Sequence, residues 1–169
     1  MNKASKIIIL RGNSGSGKTT VSKKLQTCFG HGTFLISQDV VRREMLYVKD
    51  GPRTEAIDLL ITLVKHGKEN CDTVILEGIL NADWYERLFK VIKEEFKSNI
   101  YAYYYDIPFE ETLLRHETKP NAKDFGEEEM KRWWREGDYL KMIEEYRITQ
   151  DMSEDIIVKM IVEQINKGA

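Results

Sequence analysis

The residues of this chain best suited to chemistry fall in one short stretch, Gly12-Asn13-Ser14-Gly15-Ser16-Gly17-Lys18-Thr19-Thr20, directly behind the apolar run Ile7-Ile8-Ile9-Leu10. Gly12 and Gly17 frame four residues and are followed by Lys and Thr. That fits G-x-x-x-x-G-K-[ST], the P-loop pattern, in its strand-to-helix setting. Glycines at this spacing let the backbone approach phosphate oxygens closely and aim its N–H groups at them. The helix that opens near Gly17 adds the positive end of its dipole. Lys18 can reach the β- and γ-phosphates as a point charge, and the Thr19 hydroxyl suits one position on a hydrated Mg²⁺. The stretch Gly12 to Thr20 therefore predicts a binding site for Mg·ATP.

A second set of candidates stands where strands should end. Asp39 follows Phe34-Leu35-Ile36-Ser37-Gln38, and Glu77 closes Val74-Ile75-Leu76. A carboxylate across from the P-loop can accept the proton of an attacking hydroxyl, which is the role expected of Asp39. The same residue could instead cap the helix that starts at Val40. Glu77 stands where a strand-ending acid holds Mg²⁺ or its waters, and it also borders the acceptor. Arg42 and Arg43 lie three and four residues past Asp39, so at least one should share its face and orient the acceptor. Trp133 and Trp134 are adjacent in a charged helical stretch and point about 100° apart, so one of them, Trp134, is expected to line the acceptor pocket. His31, His66 and His116 have no metal-site spacing. Cys28 and Cys71 have no C-x-x-C partner, which predicts two reduced, mostly buried thiols.

The elements that must carry these residues alternate. Strands are predicted at Ile7–Leu10, Thr33–Ser37, Asp72–Gly78 and Ile100–Asp106, with a weak fifth at Tyr146–Thr149. Helical periodicity marks 20–28, 40–47, 53–66, 84–97, 109–117 and 127–136. A last helix is capped by Ser153 and packs Ile157, Met160, Ile161 and Ile165. Strand three is a near-continuous apolar run, as parallel strands buried on both faces are. The tyrosines of Tyr101-Ala102-Tyr103-Tyr104-Tyr105 alternate faces and read as sheet core. The expected fold is α/β, with a five-stranded parallel sheet between two helical layers and the ligands outside the C-terminal strand ends.

Length and composition set the outer bounds. A chain of 169 residues, 41% hydrophobic and 32% charged, is about one domain, with no repeat or linker to divide it. A formal net charge of −2 lacks the basic excess that phosphate backbones attract, so nucleic acid is not the expected partner. The N-terminal apolar run is too short for a signal peptide, and no stretch nears the roughly 20 apolar residues of a membrane span, so a cytoplasmic protein is expected.

With these residues in place the chain resembles the P-loop small-molecule kinases, the group that holds adenylate kinase, chloramphenicol phosphotransferase, polynucleotide kinase and the zeta-toxin kinases. The resemblance rests on Gly12 to Thr19, on Asp39 with Arg42, and on the segment Tyr105 to Pro120. It implies a P-loop NTPase fold with a small helical lid at about 115–138. It also implies that Arg115 stacks over the adenine and that Lys119, four residues on, reaches the phosphates, with Arg132 and Arg135 as alternative lid cations. Lys119 stands where the family more often has arginine. Nucleoside monophosphate kinases follow strand three with Asp-Gly-aromatic-Pro-Arg, whereas Glu77-Gly78-Ile79-Leu80 stands here, and Asp39 is more similar to the hydroxyl-phosphorylating branch. The resemblance thus implies a catalytic set of Lys18, Asp39, Arg115 and Lys119, with ATP and a small-molecule acceptor as partners. Three classes remain open: a hydroxyl kinase, a nucleoside monophosphate kinase, and an ATP-binding regulatory protein without transfer.

Overall fold

The computed structural model describes residues 4–120 and 122–168. Five strands make one sheet: β1 (Lys6–Gly12), β2 (Thr33–Ser37), β3 (Thr73–Gly78), β4 (Ile100–Tyr105) and β5 (Glu145–Ile148). Their order across the sheet is β2-β3-β1-β4-β5, and every pair is parallel. Between them run α1 (Lys18–Phe29), α2 (Ala56–Asn70), α3 (Glu86–Phe96), α4 (Phe109–Glu117), α5 (Glu127–Trp133) and α6 (Glu154–Lys167). A short π-helical segment, Val40–Met45, follows β2.

The alternation of β1 explains the layers. Ile7 and Ile9 point into a core shared with Leu60 and Val64 of α2 and with Leu88, Phe89 and Ile92 of α3. Ile8 and Leu10 point the other way, onto Val21 and Leu25 of α1 and Ile157, Ile161 and Ile165 of α6. Both faces of the sheet are therefore covered, as the unbroken apolar strands predict. Tyr103 and Tyr105 are fully enclosed in the second core, as the alternation suggests. Ser153 caps α6, its Oγ accepting from the Ile156 N–H at 3.3 Å.

Register sets the site. Glu77 pairs with Leu10 on one side and Ser37 on the other, so the P-loop, Glu77 and Asp39 all leave the sheet at one edge. Several expectations change. The helix predicted at 53–66 begins at Ala56 and runs to Asn70. The helix predicted at 127–136 stops at Trp133, because Trp134 turns extended with ψ 132°. Cys28 is exposed and Cys71 half-buried, both free thiols rather than buried ones, since Cys28 lies on the outer face near the end of α1. Among the described residues no helix is long and apolar enough to cross a membrane.

Candidate active site

β1 ends in Gly12, and α1 opens on Lys18 with Gly17 in the left-handed region before it, so the whole P-loop hangs between a buried strand and a helix start. The loop is pressed tightly onto its surroundings. A Cβ on Gly15, at φ 80°, would stand 2.6 Å from the Thr112 carbonyl oxygen of α4; one on Gly12 would stand 2.8 Å from Tyr105 Cβ. Only glycine satisfies both the backbone angle and the space. The Lys18 ammonium is buried in the loop, donating to the Asn13 carbonyl at 2.8 Å and to Ser16 Oγ at 3.0 Å. Burial lowers its pKa to about 8, with the charges of Lys119 and Arg11 adding to the drop and those of Glu77 and Asp39 opposing it.

One cleft of about 600 Å³ opens beside the loop, against Ser16, Gly17 and Thr20, with Arg115, Lys119 and Gln150 around it. Arg115 is anchored at three points: Nη1 donates to the Ser16 carbonyl at 2.8 Å, Nη2 to the Gln150 carbonyl at 3.4 Å, and Nε to Glu111 at 3.0 Å. Lys119 is partly buried, which lowers its pKa; Glu77 and Asp39 act against that shift and Arg115 with it. The sequence-derived set Lys18, Arg115 and Lys119 thus converges on the P-loop.

Thr19 and Glu77 meet at the loop's other shoulder, where Thr19 Oγ1 donates to Glu77 Oε1 at 3.3 Å. Glu77 is 3% exposed at the end of β3. One buried carboxylate and one hydroxyl beside a phosphate loop fit Mg²⁺, which keeps several waters and takes few protein ligands. Among the described residues no cluster of three or more His, Cys, Asp or Glu could hold a metal by itself.

A second cavity, of about 640 Å³, lies on the other side of the loop and is bounded by Ser14, Asp39, Arg42 and Arg43. Asp39 makes no capping hydrogen bond to the helical segment that follows it. Its Oδ1 instead accepts from Arg42 Nη2 at 3.1 Å and lies 3.6 Å from Arg43 Nε, so two guanidinium groups hold an otherwise exposed carboxylate. The tryptophan expectation is corrected here. Trp133 borders this cavity, whereas Trp134 borders a separate one with Phe109 and Arg147 and packs edge-on to Phe109 at 5.2 Å. The extended backbone at Trp134, which ends α5, separates the two rings.

Several members of the site have no local signature. Gln38 is buried, donates to Tyr85 Oη at 2.7 Å and to Asp50 at 3.2 Å, and accepts from the Leu80 N–H at 3.0 Å. Tyr85 in turn donates to Asp50 at 2.6 Å, and burial beside that carboxylate raises its pKa, so it remains a donor. Asp50, Lys49 and Trp84 all face the second cavity. Position at a strand end is the one signal that pointed to Gln38; Lys49 and Asp50 precede the Gly51-Pro52 break without any pattern. Asn13 also has a task beyond the loop. Its amide donates to the Arg135 carbonyl at 2.6 Å and accepts from the Arg135 N–H at 2.9 Å, pinning the chain just past α5 to the P-loop.

This parallel sheet order with a P-loop between β1 and α1 is the P-loop NTPase fold. The AAA_33 family, described as an AAA domain, matches residues 7–136, and the chain belongs to that family. Among solved structures it is similar to the Mycobacterium tuberculosis APS kinase CysC in complex with AMPPNP and APS, at 16% identity and a TM-score of 0.69, over 96% of this chain and 98% of that one. A gluconokinase from Sinorhizobium meliloti 1021 is similar at 13% identity and a TM-score of 0.63, over 100% and 95% of the two chains. The Deinococcus radiodurans tunicamycin resistance protein is similar at 18% identity and a TM-score of 0.62, over 95% of each. At these identities the likeness establishes the fold. None of the curated proteins compared matches the chain.

Proposed function

We propose that the protein is an ATP-dependent phosphotransferase that passes the γ-phosphate of ATP to a hydroxyl of a small molecule. The observation that carries this reading is Asp39, held by Arg42 and Arg43 at the edge of a cavity that faces the P-loop from the side opposite the Arg115 cleft. ATP takes the Arg115 cleft with its phosphates on Gly12 to Thr19, and the acceptor takes the second cavity. The kinase names of the APS kinase and the gluconokinase support phosphoryl transfer on this fold.

In the reaction the acceptor oxygen attacks the γ-phosphorus and its proton passes to the Asp39 carboxylate. The new O–P bond forms as the bond from phosphorus to the β,γ-bridging oxygen breaks, and ADP leaves. Lys18 and Lys119 stabilise charge on the transferring group, and Arg115 fixes the nucleotide against the loop. Thr19 and Glu77 would hold Mg²⁺, which when bound neutralises charge on the β- and γ-phosphates. Asp39→Asn keeps size and polarity but cannot accept the proton. It should lower kcat for alcohol acceptors by about 10²–10⁴-fold while the KM for ATP stays near wild type. Near-normal turnover in this variant would remove the base.

A nucleoside monophosphate kinase is the second reading, favoured by the number of cations around the second cavity. A phosphate acceptor is already ionised and has no use for Asp39, so the same variant separates the two.

A further inference from the structure

The second cavity is far more basic than a neutral alcohol requires. Arg42, Arg43, Lys49, Arg132 and Arg135 border it against only two carboxylates, Asp39 and Asp50, in a chain whose net charge is −2. Like charges gathered in one pocket repel one another, and a bound ligand of opposite sign offsets that cost. The partners of these cations sharpen the point. Arg42 is engaged with Asp39, which Arg43 also approaches at 3.6 Å, and Arg132 approaches Glu129 at 3.6 Å. Neither Arg135 nor Lys49 pairs with a carboxylate among the described residues. The Arg135 guanidinium instead rests 5.0 Å above the Trp84 ring.

These groups are mounted firmly. The Arg135 backbone is clamped by the Asn13 side chain through both its N–H and its carbonyl. Arg43 lies 5.8 Å over the Phe125 ring, which packs edge-on to Trp133 at 5.1 Å. Nor does the nucleotide need them on the proposed reading, because Lys18 and Lys119 serve its phosphates and Arg115 holds it to the loop, and among the described residues none borders both cavities.

We infer that the acceptor is an anionic alcohol, a molecule that offers its hydroxyl to Asp39 and a separate phosphate, sulfate or carboxylate group to Arg43, Lys49 and Arg135. The guanidinium fork matches the paired oxygens of all three anions. This inference rests on the hydroxyl-kinase reading and names the substrate class for it.

The test titrates matched pairs into the full-length protein held with AMPPNP: glucose against glucose 6-phosphate and gluconate, and adenosine against adenosine 5′-monophosphate. The charged member of a pair should bind at least about tenfold more tightly, and the gap should shrink as salt is raised. In the Arg43→Gln/Arg135→Gln double variant the gap should largely close, with AMPPNP affinity within about twofold of wild type. Equal binding of charged and neutral members would overturn the inference. So would a double variant that weakens AMPPNP as much as the anion, since the two arginines would then serve the nucleotide. Phosphorus NMR of the product with ATP separates the two levels of the claim. A phosphate ester formed equally well on neutral and charged alcohols leaves the hydroxyl kinase standing without the anion preference. A phosphoanhydride formed on the anion itself brings both down.

Discussion

Lys18 carries both the strongest sequence signal and a physical oddity, an ammonium whose pKa burial has lowered to about 8. Only the charged form attracts phosphate oxygens, so a bound nucleotide must raise that pKa again. The affinity of an ATP analogue, measured without added metal, should therefore be full below about pH 8 and fall as pH rises above it, with proton uptake on binding in that upper range. Lys18→Ala should bind more weakly and show a flat profile there; a wild-type profile that stays flat to pH 9.5 would remove the explanation. Other single residues were less readable. Lys18, Thr19 and Gly15 follow from one motif whose spacing is itself the chemistry. Trp133 and Trp134 do not, because which ring enters the second cavity depends on where α5 ends, and that is fixed by a contact with Asn13 at the far end of the chain.

On the proposed kinase reading, α4 and the turn after it would divide the nucleotide between two cations. Arg115, on α4, touches the P-loop carbonyl of Ser16 and the Gln150 carbonyl, both beside the cleft. Lys119 follows the helix, its N–H donating to the His116 carbonyl at 3.0 Å, and its charge is felt by Lys18 and responds to Glu77. Arg115→Ala should thus mainly raise the KM for ATP, and Lys119→Ala mainly lower kcat, each by roughly tenfold or more. Steady-state kinetics at saturating acceptor decide it, and equal, negligible effects from both would place the lid contacts elsewhere. The strands and long helices that carry these groups were legible from period two and period 3.6. The segment after α5 was not. It is ordered by Asn13 and by the Tyr104 hydroxyl, which accepts from the Asp138 N–H at 3.1 Å, and partners so distant leave no local periodicity. His116, which has no metal-site spacing, stacks on Phe125 at 4.4 Å and meets its carbonyl at 2.8 Å, tying the end of α4 to the chain that leads into α5.

Across the whole molecule one side chain joins what the site needs kept in place. Arg11 stands in β1 directly before Gly12, the first glycine of the P-loop, and is fully buried. Its guanidinium donates to the Leu80 carbonyl after β3, to Asp138 beyond α5 at 3.0 Å, and to Glu145 at the start of β5 at 2.8 Å. Phe89 and Tyr104 close over it at 5.4 and 5.5 Å. Asp138 also accepts from the Ala82 N–H, so the loop after β3 and the chain after α5 share one ion pair. A buried pair adds little over a well-packed apolar group, but removing one partner leaves the other charge stranded away from water. Arg11→Met should therefore cost about 3–5 kcal/mol in denaturant unfolding, because the Glu145 carboxylate would stay buried with no countercharge and only the Leu140 N–H to hold it. Adding Glu145→Gln and Asp138→Asn to that variant removes the stranded charges and should recover part of the loss. If Arg11→Met unfolded within about 1 kcal/mol of the wild type, the network would not be what fixes the chain's return from α5 to the sheet, and the Asn13 clamp on Arg135 would be left to do so alone.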